Sequence, residues 1–184
     1  MVNDEQLIKR CIRRERSAQK LLFETYSGML LGVCMRFVKD PSEAEDILQE
    51  GFIKIFLNIK DFSARGSLVN WMKKVMINTA ITHYHKNKKH QQQADIDEIQ
   101  EVEIAGFKWE NADFTREELL NVINDLPDGY RIVFNLYAIE GFKHKEIAGL
   151  MEIDVSTSKS QYSRAKKLIR KRLAELSRIR ISNE

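Results

Sequence analysis

The chain has 184 residues, room for one large domain or two small ones, and 43% hydrophobic content provides for real cores. Lys+Arg number 30 and Asp+Glu 27, a formal charge of +3, which excludes a bulk polycation; any nucleic-acid affinity must come from local patches. Only 2 Pro and 8 Gly favour long helices over a turn-rich sheet, so two small helical units are expected.

The start, Met1-Val2-Asn3-Asp4-Glu5, is polar and acidic. It has no apolar run long enough for a signal peptide or membrane span, and a cytoplasmic protein is expected. Cys11 and Cys34 are the only cysteines and form no metal-ligand pattern. Ordinary thiols in a reducing compartment are expected, although sequence alone leaves a disulfide between them open.

From Asp4 to about Phe37, residues such as Leu7, Cys11, Ala18, Leu22, Leu30 and Val33 keep a helical period, read as two helices broken near Arg14 to Ser17. Pro41 then forces an extended residue before it, and Ser42 can cap the next helix. That helix, from Glu43 to Phe56, buries Ile47, Leu48, Phe52, Ile55 and Phe56 and leaves Asp46, Gln49, Glu50 and Lys54 as an exposed polar stripe. Such a stripe suits docking to a protein partner or plain solvated surface. Paired carboxylates for acid–base catalysis are a poor reading, because no nucleophile, metal cluster or phosphate cradle stands nearby.

Lys60 to Ser67 reads as a loop around Gly66, opening a helix from Leu68 to about His85. Leu68, Trp71, Met72, Val75, Met76, Thr79 and Ala80 form its expected buried side, which makes Trp71 core rather than a base-stacking platform. Asn78 on another face can hydrogen-bond an exposed base edge, and Lys86 to His90 adds a basic cluster. His83 and His85, two apart on a helix, point to different sides, so no metal site is expected.

Gln91 to Thr115 is a polar, acidic linker, though Ile96, Ile99, Phe107 and Trp109 are too apolar for a pure spacer. Helical periodicity resumes from Arg116 to Asn124. A turn at Leu126-Pro127-Asp128-Gly129 leads into a helix whose Ile132, Val133, Phe134, Leu136 and Tyr137 supply a second core, with Gly141 in a left-handed conformation past its end.

Glu146 to Met151 reads as a short helix with Ile147, Leu150 and Met151 inward. After four intervening residues a second helix runs from Ser156 to Arg170, capped by Asp154 or Ser156. Ser158, Tyr162, Ala165, Ile169 and Leu173 form its packing seam. Ser160, Ser163, Arg164 and Lys167 fall on another side, where short hydroxyls and long cations can enter a major groove. Lys159, Lys166, Lys171 and Arg172 suit phosphates, which set affinity without reading sequence. Short helix, tight turn and basic helix together make a helix-turn-helix, and DNA binding is favoured over a solvated basic surface.

The run Ala44-Glu45-Asp46-Ile47-Leu48-Gln49-Glu50-Gly51-Phe52 resembles region 2.2 of bacterial sigma factors, and Phe62 to Asn78 is similar to regions 2.3 and 2.4. Leu126-Pro127, Arg131, Gly141 and Glu146-Ile147-Ala148 look like region 4. The short length, with no region 1.1 or 3, is similar to the extracytoplasmic-function group. This resemblance implies an all-α chain of two helical domains: region 2 over 1–90, a linker over 91–115 threading a polymerase channel, and region 4 over 116–184. It implies that Asp46, Gln49, Glu50 and Lys54 bind the β′ clamp helices of core RNA polymerase, with the β subunit a further contact. Phe62, Arg65, Lys74 and Asn78 would hold the melted −10 strand of promoter DNA. Ser160, Ser163 and Arg164, with Lys167 beside them, would meet the −35 major groove, and Thr157, Lys159 and Gln161 would lie on or near phosphates. An anti-sigma factor is a common partner in the family; no catalytic residue, metal or cofactor is implied. The chain departs from the family at Thr82 and His85, where an acidic residue and an Arg are usual, and at Gln161 and Tyr162, where Arg and Leu are. Lys143 replaces a capping Ser, which weakens that helix start by about 0.5–2 kcal/mol unless His144 or water compensates.

Two rivals stand beside this reading. One is a stand-alone helix-turn-helix regulator in which residues 1–90 sense or dimerise. The other is a nucleic-acid-modifying enzyme using Asp46, Glu50 or the histidines, for which the ligand spacing is missing.

Overall fold

The computed structural model describes residues 4–62, 66–90 and 114–182. Arg65 and the linker over 91–113 lie outside the described residues. All regular structure among the described residues is helical, as the composition predicts, and the chain divides between His90 and Gln91 into two compact units. No helix among the described residues is long and apolar enough to cross a membrane.

The first unit holds α1 (Asp4–Ile12), α2 (Arg16–Cys34), α3 (Pro41–Asn58) and α4 (Leu68–His90). α1 stops because Arg14 turns left-handed, φ 59°, and its N–H donates back to Cys11 O at 2.9 Å. Glu15 then takes the Arg10 Nε at 2.7 Å and fixes the corner to α2. α3 begins at a cap that differs from the predicted one: the Asp40 carboxylate, not Ser42, accepts from the Ser42 N–H at 2.9 Å, while Pro41 occupies the first helical position, where its missing N–H costs nothing.

Leu22, Leu30, Ile47, Ile55, Met72 and Met76 are fully buried where α2, α3 and α4 meet. Each such side chain contributes about 1.5–3 kcal/mol. α3 and α4 approach closely at Gly51, where an added Cβ would collide with Met76 Sδ. Cys11 and Cys34 are both buried free thiols, and burial pushes the Cys34 thiol up to about 12, an unreactive state. Trp71 departs from the sequence expectation: it is half-buried at the rim, its ring 5.6 Å from that of Phe62, and Ile77 and Ile81 fill the core instead.

The second unit holds α5 (Arg116–Asn124), α6 (Asp128–Phe134), α7 (His144–Met151) and α8 (Val155–Ser182). Thr115, placed by the sequence pattern at the end of the linker, caps α5. Its hydroxyl accepts the Glu118 N–H at 3.2 Å, and Glu118 accepts the Thr115 N–H at 2.8 Å. Arg131 is buried, 3% exposed, and holds the α5–α6 corner by donating to Asn124 O, Leu126 O and the Asp128 carboxylate at 2.9–3.3 Å. After α6 the helix widens into a π turn, Asn135–Ile139, closed by the Glu140 N–H on Asn135 O. That extra residue per turn swings Tyr137 out to 38% exposure, so it is not core as predicted; Phe134 and Leu150 are only half-buried. Gly141 ends the segment at φ 76°, the left-handed conformation expected of it.

Candidate nucleic-acid and partner interfaces

On α3, Asp46 and Gln49 are exposed, but the stripe does not run on to Lys54. The Lys54 ammonium is turned toward α4, 2.8 Å from Glu50 Oε1 and donating to Thr79 Oγ1 at 3.2 Å. The buried Thr79 hydroxyl donates in turn to Val75 O at 2.8 Å. Lys54 therefore acts as a strut, because its place on the flank of α3 next to α4 offers it a carboxylate and a hydroxyl. Its hydrogen bond to Glu50 holds that carboxyl below its ordinary pKa, helped by the charges of Lys54, Lys86 and His83. The outward stripe instead continues through Ile53 and Leu57, 59% and 63% exposed. The sequence reading missed these two. The available signal was their phase, since they stand off the buried series Ile47, Leu48, Phe52 and Ile55.

Along α4, Lys74, Asn78 and Thr82 are exposed at four-residue spacing and so share one face. Thr82 Oγ1 donates to the Asn78 backbone carbonyl at 2.8 Å, and the exposed Asn78 side chain lies on the same face. At the start of this helix the half-buried Phe62 leans on Trp71, so two aromatic rings stand together ahead of Lys74. The Nδ1 of His83 is 3.4 Å from Asn87 Nδ2. Among the described residues no three His, Cys, Asp or Glu side chains gather as a metal-ligand group.

In the second unit, α7 and α8 are joined by a turn in which Glu152 takes the left-handed conformation, φ 54°, and the Ile153 N–H donates to Ala148 O. Asp154, rather than Ser156, stands just before α8, its carbonyl accepting the Ser158 N–H. α7 starts without a side-chain cap at Lys143, but Glu146 accepts the Lys143 N–H at 2.7 Å and so supplies the reciprocal half of a capping box.

α8 has two unlike sides. Ser158, Ala165, Leu173 and Ala174 are buried, whereas Lys159, Ser160, Ser163, Arg164 and Lys167 are exposed; Thr157 is half-buried at the first turn. Gln161 departs from the phosphate-facing position predicted for it. It lies three residues after Ser158 and four before Ala165, beside the packing seam, and its half-buried amide is turned toward Gly129 of α6. Arg164 Nη1 donates to the Tyr130 hydroxyl at 3.3 Å.

Behind this face sits an aromatic cluster that the sequence reading did not assemble. His144 stacks on Tyr137, ring centres 4.2 Å apart, and Tyr162 packs 4.5 Å from Tyr137 with Lys166 over its ring. His144 Nδ1 lies 2.9 Å from Ser158 Oγ, tying the start of α7 to α8. Burial, and next the charge of Lys159, lowers the His144 pKa.

These arrangements match known proteins. Residues 22–90 match the family described as Sigma-70 region 2, and residues 116–169 that described as Sigma-70, region 4. The chain is 31% identical to the RNA polymerase sigma-H factor of Pseudomonas aeruginosa, over 95% of this chain and 96% of that protein. It is 24% identical to the ECF RNA polymerase sigma-E factor of Haemophilus influenzae, over 95% and 97%. Among solved structures, the sigma factor RpoE of Bartonella quintana, in complex with the anti-sigma factor NepR, shares the fold. Its TM-score is 0.53 at 20% identity, covering 84% of this chain and 96% of that one. With both regions matched in order and nearly its full length aligned, the chain belongs to the sigma-70 family of RNA polymerase sigma factors, in the extracytoplasmic-function group.

Proposed function

We propose that this sigma factor binds core RNA polymerase through its first unit, holds the melted −10 strand there, and grips the −35 duplex through its second. The observation that carries the reading is the division of α8. Its buried seam fixes it on α7 and α6, and its opposite flank presents Ser160, Ser163, Arg164 and Lys167 on an exposed helix face. Hydroxyls and a guanidinium so placed fit the edges of bases in a major groove, with Lys159, Lys171 and Arg172 suited to the flanking phosphates and Thr157 to the helix entry.

Polymerase would dock on Asp46, Gln49, Ile53 and Leu57, a patch with apolar residues beside polar ones, as interfaces have. Glu50 would lie at its margin and Lys54 would act by holding Glu50. Lys74 and Asn78 would follow the −10 strand, with Phe62 and Arg65 at the end where an unstacked base is captured. Stacking contributes about 1–3 kcal/mol per base, comparable to the few kcal/mol that unstacking costs, so capture can hold an opened base without ATP. The half-exposed Trp71 ring is a second stacking surface beside Phe62.

We assign region 2 to residues 1–90 and region 4 to residues 116–184, with the linker over 91–115 between them. Sigma factors are non-enzymatic as a family; we assign this chain no catalytic residue, metal or cofactor, and polymerase supplies the nucleotide chemistry in the cytoplasm. An anti-sigma partner follows from the likeness to the factor solved with NepR. The test is a titration of core polymerase with Asp46→Ala/Gln49→Ala. Weaker polymerase binding at unchanged DNA affinity is expected, and unchanged polymerase binding would remove the α3 assignment.

A further inference from the structure

Tyr130 has no part in the polymerase or DNA contacts proposed above. It is the third residue of α6, which packs along α8, and its half-buried ring carries a hydroxyl that accepts from Arg164 Nη1 at 3.3 Å. Its neighbour Gly129 brings the α6 backbone close to α8: an added Cβ there would stand 3.3 Å from Gln161 Nε2. The start of α6 thus fences one flank of the exposed face, touching Gln161 and Arg164 one turn apart.

An exposed arginine samples many rotamers, and fixing one of them against a base edge costs conformational entropy. A phenol anchored by packing, with its hydroxyl on the guanidinium, removes part of that cost before DNA arrives. The contact engages one of the five N–H donors, leaving the others for a bidentate pair with a base. We propose that Tyr130 is a positioning residue for promoter reading: it orients Arg164 toward one base edge of the −35 duplex and sharpens discrimination at that base pair. This rests on Arg164 reading a base, as proposed above.

The experiment uses holoenzyme formed from the full chain and core polymerase, on duplex promoters carrying every single substitution in the −35 element. Arg164→Ala should relax one position by about 5- to 150-fold. Tyr130→Phe keeps the ring and removes only the hydroxyl. It should relax that same position by about two- to tenfold, leave the other positions unchanged, and add nothing in the Arg164→Ala background. No effect of Tyr130→Phe, a uniform loss over all sequences, or an effect that persists without Arg164 would overturn the positioning role while leaving base reading by Arg164 intact. If Arg164→Ala itself weakens all sequences equally, Arg164 is a phosphate contact and both proposals fall.

Discussion

Lys54 and Thr79 are joined across the α3–α4 interface, ammonium to hydroxyl at 3.2 Å, so a cation expected on the outer stripe of α3 is turned inward. The same ammonium holds Glu50 at 2.8 Å. Lys54→Ala is therefore predicted to destabilise the first unit by about 1 kcal/mol, a charged hydrogen bond discounted for partial exposure. A urea denaturation midpoint checks this. An unchanged midpoint together with lost polymerase binding would make Lys54 a direct polymerase contact instead.

Ile53 and Leu57 are the most exposed large apolar residues of the described chain. Ile53→Asp or Leu57→Asp should leave the folding midpoint within about 0.5 kcal/mol of wild type and weaken core polymerase binding by about 1–2 kcal/mol, or roughly 5- to 30-fold. Fluorescence titration of labelled protein against core polymerase measures it. Equal affinity would return these side chains to plain surface.

The helix-turn-helix stores strain at Glu152, which holds φ 54° although it bears a Cβ. Glu152→Gly should stabilise the second unit by about 0.5–1 kcal/mol, relief of the left-handed penalty outweighing the added freedom of the unfolded chain. Thermal unfolding reads the shift, and a lowered melting temperature would contradict the account.

His144 gives the second unit a pH dependence of definite sign. Its folded pKa lies below the ordinary 6.5 because burial, and then Lys159, disfavour the charged ring. The unfolded chain thus binds the proton first. This part of the stability is full above the ordinary value and is lost as pH falls through it, until the folded form also protonates. His144→Gln should flatten the stability profile as pH falls through and below the ordinary histidine value; chemical denaturation at stepped pH, with identical slopes for both proteins, would refute the assignment.

The two faces of α8 were legible in the sequence at the positions of opposite helical phase, Ser158 and Ala165 turning in and Ser160 and Arg164 turning out, while Tyr162 and Ile169 of the expected seam are only half-buried. Lys54 and Gln161 were not legible. Both sit on a helix flank, where spacing permits either direction and a neighbouring helix decides: Thr79 draws one inward, and the bare backbone at Gly129 admits the other. Tyr137 was misplaced for a different reason. The π turn at Asn135–Ile139 shifts the phase of every later side chain, and no residue type in that run announces it. The His144 cluster escaped because its members come from α6, its π extension, α7 and α8, a convergence that no local window contains.

The division of labour between the two units is tested most directly by anisotropy titrations of a labelled promoter duplex carrying both elements, with the full chain alone and with the chain plus core polymerase. The account predicts sequence-specific binding only when polymerase is present. Tight specific binding by the chain alone, or failure of the chain to associate with core polymerase, would contradict it.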